Sequence, residues 1–135
     1  MIKKMTEDDI EIMKYAAKAY GLDVYESKDG TIQQRTILAF SAGGQMGTMP
    51  YEVEWNPLRD DDQALRLSIK LKLTIVHVPD RKNANDEFVN AMVFAPDGRL
   101  ISSYVLYDSD PYKATRRVIV NVAAELGKLI DNSQS

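Results

Sequence analysis

The chain contains no cysteine. Disulfides, thiolate metal centres and cysteine nucleophiles are thereby excluded, and with them the small secreted scaffold held together by bridges. Histidine is almost as scarce, since His77 stands alone. A histidine-rich metal site is ruled out, and catalysis through His77 would need a carboxylate and a serine from distant segments. Long apolar runs are missing too, because no stretch approaches the ~18 residues that span a bilayer. The start, Met1-Ile2-Lys3-Lys4-Met5-Thr6-Glu7-Asp8-Asp9, sets two lysines before an acidic run instead of an apolar signal core. A cytoplasmic protein without membrane contact is expected. There is also no excess of positive charge. A net charge of -3 gives no long-range pull on phosphate backbones, which disfavours nucleic acid as a partner.

What is present suits one ordinary domain, 1–135, with 44% hydrophobic residues to build a core. Thr6 is placed to cap a first helix over 6–20. Glu7, Asp8 and Asp9 complement its dipole, Ile10, Met13, Ala17 and Tyr20 form its apolar stripe, and Gly21 stops it. A polar segment with a turn at Lys28-Asp29-Gly30 leads into a strand over 35–40. Ser41 to Gly47 reads as a flexible glycine-bearing loop, and Tyr51-Glu52-Val53-Glu54-Trp55 as a half-buried strand that completes a hairpin. Residues 65–72 fit both periods. Leu67 to Ile75 alternates like a strand, yet Asp60, Asp61 and Asp62 supply cap chemistry ahead of good helix formers, so the expectation is a helix at 61–72 and a strand at 73–79 running into Pro79-Asp80. Phe88–Phe94 and Leu100–Tyr107 read as strands joined across Pro96-Asp97-Gly98-Arg99. Asp110 and Pro111 then open a helix over 111–130 with the face Ala114, Val118, Val122, Leu126 and Leu129, followed by a fraying tail at 131–135. The fold class expected is α+β, in the order α-β-β-α-β-β-β-α, with helices on one antiparallel sheet of about five strands.

Three blocks carry a resemblance: Ala16-Ala17-Lys18-Ala19-Tyr20-Gly21-Leu22, Trp55-Asn56-Pro57-Leu58-Arg59-Asp60-Asp61-Asp62-Gln63-Ala64-Leu65-Arg66-Leu67, and Asp110 to Val120. They resemble the phage ABA sandwich domain, a group of small phage and prophage proteins, and the Trp-Asn-Pro-Leu block is the distinctive one. The resemblance implies helices packed on an antiparallel sheet and a viral origin. It implies no established activity and no catalytic residue set.

Candidate sites follow from residue chemistry. Trp55 and Asn56, with Asp60 and Asp61 beside them, could form a recognition corner for a protein partner, although a buried tryptophan, a capping asparagine and a pairing-blocking Pro57 explain the same residues. Gly43, Gly44 and Gln45 could bring backbone amides to an anion, but lack the lysine-serine ending of a P-loop. Arg116 and Arg117, with Lys113, and separately Arg81-Lys82, could clamp a phosphate, or else lie solvated over apolar surface. Asp60–Asp62, Asp80, Asp108 and Asp110 have no calcium-loop spacing, so no metal and no cofactor is expected. His77 is read as the solvent-facing member of its strand. The function expected is a non-catalytic phage or prophage accessory protein that binds a host or phage protein, concretely an inhibitor of a bacterial defence system. The alternative is a protein that sequesters a nucleotide-like anion, with sites formed between copies of an oligomer.

Overall fold

The computed structural model describes residues 5–79 and 86–133, and at 37–40 and 133 the backbone alone. Helix α1 spans Glu7–Tyr20, with the Thr6 hydroxyl accepting the Asp9 N–H at 3.1 Å and Gly21 closing it at φ +91°. Both ends fall where the cap chemistry of the sequence puts them.

Three strands follow instead of two. Strand β1 (Val24–Glu26) pairs antiparallel with β2 (Ile32–Ala42), which pairs with β3 (Gln45–Glu54). At three residues, β1 is too short to show a period, and it exists because β2 offers it a pairing edge. The glycine loop expected over 41–47 is corrected. Ala42 pairs with Gln45, so only Gly43 and Gly44 turn, at φ +59° and +81°. Two positive φ angles in succession make the tight hairpin turn whose twist matches that of the strands, and glycine takes them without strain. The strand over 51–55 therefore begins six residues earlier, at Gln45. Pro50 sits inside it because β3 is an edge strand among the described residues, with one side free of pairing there.

Helix α2 (Asp61–Lys70) settles the ambiguous stretch. Asp60 accepts the Gln63 N–H at 3.0 Å, and Ala64, Leu67 and Ser68 turn inward at helical spacing. Cap chemistry prevails over the period-2 pattern, which resumes only after Lys72 turns the chain at φ +57°. Strand β4 (Thr74–Val78) pairs with β5 (Phe88–Phe94), and β5 with β6 (Leu100–Leu106); Asp80 lies outside the described residues. Helix α3 (Pro111–Ser133) is capped by Asp110, which accepts the Lys113 N–H at 3.0 Å. The fraying expected from 131 is corrected in part. The helix continues to Ser133 because Asp131 pairs with Lys18 in the last turn of α1, while residues 134 and 135 lie outside the described residues.

The α+β class holds, but the single sheet of about five strands does not. Among the described residues there are two separate antiparallel sheets, β1-β2-β3 and β4-β5-β6. Helix α3 packs against α1, α2, β5 and β6, and carries more of the core than its expected stripe. Val118, Ile119, Val120, Val122, Ala123, Ala124 and Leu126 are all buried, as expected of a helix enclosed on several sides.

Candidate interaction surface

Successive strand residues point to opposite faces, so the second sheet has one set of side chains turned toward α3 and one turned away. The α3-facing set includes Val89 and Ala91, fully buried, and Ile101. The opposite set is mostly apolar, with Thr74, Asn90 and Ser102 as its polar members. Register places Val76, Asn90 and Tyr104 side by side, with Val78, Phe88 and Leu106 on one flank and Thr74, Met92 and Ser102 on the other. Phe94 and Leu100 close the row. Among these, Phe94 is 71% exposed, Tyr104 65%, Leu100 and Leu106 51%, and Val76 41%. The Phe88 and Tyr104 rings meet edge to face, with centroids 5.8 Å apart.

No residue of β4, β5 or β6 is Asp, Glu, Lys or Arg. Strands with apolar residues on both faces are those of sheets covered on both sides. In this chain one cover is α3, and among the described residues no helix or strand packs closely over the other face. The sequence carried this signal: Phe88-Val89-Asn90-Ala91-Met92-Val93-Phe94 does not alternate with charge as a half-solvated strand should.

The β2–β3 hairpin is the second open surface. Its paired length, from Gln33 and Glu54 to Ala42 and Gln45, is roughly 30 Å at ~3.3 Å per residue. All of β3 except Gly47 is exposed. One of its faces carries Met49, Tyr51 and Val53, exposed by 49%, 40% and 40%, and Met46 near the tip is 80% exposed. The opposite face is polar at its base. There the Arg35 guanidinium lies 4.4 Å from the Tyr25 ring centroid, and the Tyr25 hydroxyl donates to Glu52. That hydrogen bond to a carboxylate, the largest cause, raises the Tyr25 pKa.

The residues singled out in the sequence fall elsewhere. Trp55 and Asn56 are 3% and 7% exposed, so the corner offers neither ring nor amide to a partner. It is a joint instead. The Trp55 N–H donates to Ile32 O at 2.8 Å, the Asn56 N–H to the Gln63 side chain at 2.5 Å, and Gln63 in turn donates to Glu54 O at 2.9 Å. Asp60 is spent on the cap of α2. Asp61 accepts from Arg116 at 2.7 Å, while the Arg116 Nε donates to Leu58 O at 2.8 Å. Arg117 grips Asp9 through two hydrogen bonds of 2.7 and 3.3 Å. These arginines join α3 to α2 and to α1. Gly43, Gly44 and Gln45 form the exposed far end of the hairpin, and the structure does not bring them to Arg116 or Arg117. The anion clamp is therefore not assembled within one chain. Arg81-Lys82 lies outside the described residues.

His77 is exposed, as expected, but on the α3 side of β4. There it borders a groove of about 580 Å³ shared with Ala64, Ser68, Tyr112 and Ile119. Its Nδ1 lies 2.5 Å from the Tyr107 hydroxyl. Burial, and then the charge of Glu87, raise the Tyr107 pKa and favour the protonated phenol, which can donate to the imidazole. No group of three or more His, Cys, Asp or Glu among the described residues could hold a metal ion. No described helix is long and apolar enough to cross a membrane. Comparison with known proteins yields no match to any family model, curated protein or solved structure.

Proposed function

We propose that this chain is an accessory protein that acts by binding another protein of the phage or its bacterial host, in the host cytoplasm, with a component of a bacterial defence system as the most concrete target. The carrying observation is the β2–β3 arm, a hairpin of roughly 30 Å with an exposed face of Met49, Tyr51 and Val53 and the exposed, unbranched side chain of Met46 near its tip. Aromatic and methionine side chains are enriched at recognition surfaces, where the burial of one ring can dominate affinity. Among the described residues, the arm also has an unpaired edge along β3, which can accept a strand from a partner. The phage setting is supported by the three-block resemblance alone.

Native mass spectrometry of the chain purified from its bacterial host tests the reading, with Tyr51→Lys and Met49→Lys as controls. The expected result is a stoichiometric protein partner retained by the unmodified chain and lost from both folded variants. A complex that survives both substitutions removes the arm from the interface. A retained anion of nucleotide mass and no protein would replace this function with sequestration.

A further inference from the structure

We infer that the open face of the β4–β5–β6 sheet is a dimer interface, and that its occupant is a second copy of this chain stacked face to face. This goes beyond the partner reading, which concerns the arm.

The exposed fractions of Phe94, Tyr104, Leu100, Leu106 and Val76 amount to roughly 500 Å² of apolar surface on one copy, given that a whole aromatic side chain buries ~150–250 Å². A contiguous patch of that size is at the upper end of what a monomer leaves in water. Two such faces together remove roughly 1,000 Å², which meets the lower threshold of about 1,000 Å² for a biological interface.

A face without a single Asp, Glu, Lys or Arg offers no electrostatic feature by which to select a different partner, and nothing that repels its own copy. A net charge of -3 adds only weak repulsion between copies. Two sheets of the same twist pack aligned at about -30° and ~10 Å apart, the ordinary geometry of a β-sandwich, and a twofold axis presents each patch to itself. In the resulting molecule the two β4–β5–β6 sheets lie face to face between the α3 helices of the two copies.

Sedimentation equilibrium of the full chain at about 100 μM tests this, since even a micromolar Kd leaves most chains paired at that concentration. The expected result is a dimer that becomes monomeric in Tyr104→Lys, and a dimer that persists in Met46→Lys on the arm. Because Tyr104 is exposed in the single chain, the substitution should not disturb folding of the protomer, which circular dichroism checks. If Tyr104→Lys does not fold, Leu106→Lys repeats the test at the margin of the face. A wild-type monomer overturns the inference, as does a monomer whose face is covered only by a different protein, or a dimer that survives folded Tyr104→Lys and Leu106→Lys. The arm variants and the face variants report on different surfaces, so this inference and the partner reading can fail separately.

Discussion

Gly127 of α3 lies against the backbone of Tyr15 in α1 so closely that a Cβ at Gly127 would stand 1.9 Å from the Tyr15 carbonyl oxygen. The obstacle is backbone, which cannot swing aside. The two helices meet through small residues, with Ala16, Ala17, Ala123 and Ala124 buried beside the crossing.

Gly127→Ala should therefore destabilise the fold despite the better helix propensity of alanine, because relieving the overlap means moving one helix off the other. The expected cost is about 3 kcal/mol or more, beyond the usual range for overpacking. Urea unfolding measures it, and a midpoint equal to that of the wild type would show that the crossing is looser than described.

Arg117 and Asp9 join α3 to α1 with side chains 34% and 23% exposed, whereas Arg66 and Asp62 pair along α2 at 70% and 67%. A double-mutant cycle on the first pair should give a coupling of about 1 kcal/mol, and on the second a few tenths. Equal couplings would mean that partial burial contributes nothing here.

Asp29 sits in the β1–β2 turn, where the Ser27 hydroxyl and then the Thr31 hydroxyl and N–H lower its pKa to about 2. A carboxyl with a lower pKa folded than unfolded binds fewer protons in the fold, so its contribution is present above the unfolded value near 3.8 and is lost as pH falls toward about 2. Carboxyl carbon shifts followed by NMR should titrate Asp29 near that lower value. In Ser27→Ala the midpoint should move back toward the ordinary range.

Gly43 and Gly44 have open space around a would-be Cβ, yet both hold positive φ. Alanine at either position should cost about 1 kcal/mol through backbone strain alone. The loss should be local. Hydrogen exchange should quicken in the outer part of β2 and β3 while the α1–α3 core keeps its protection.

Trp55 is the single tryptophan and is 3% exposed. Its emission should be blue-shifted, resist acrylamide quenching and move red on unfolding. Quenching as strong as that of a free indole would put the ring back on the surface.

Local chemistry along the chain was legible. Thr6, Gly21, Asp60, Asp110 and Pro111 mark helix ends that lie within a residue of the observed ones, because a cap is decided by a few neighbouring atoms. The Asp60–Asp62 cap overrode the alternation from Leu67 onward for the same reason. The turn at Pro96 to Arg99 was also readable. Gly98 takes φ +89° there, and Asp97 accepts the Arg99 N–H at 2.9 Å.

The candidate site was less legible. By residue type Trp55 and Asn56 suit both a recognition corner and a buried joint, and only the contacts with Ile32 and Gln63 decide for the joint. Arg116 and Arg117 look like free cations until Asp61 and Asp9 arrive from other helices. Gly127 gave no sign, since an isolated glycine in a helix declares its purpose only through what crosses it.

By itself, the sequence determined the α+β class, the starts of the helices and the β5–β6 hairpin, all of which depend on contacts within a few residues. Only the tertiary structure decided that the strands divide into two sheets, that the glycine segment is the two-residue end of a long arm, and that the second sheet keeps an apolar face open. Those outcomes depend on which strands, helices and side chains meet across distances of tens of residues. Periodicity records that a strand has two apolar faces, but not what comes to cover each of them.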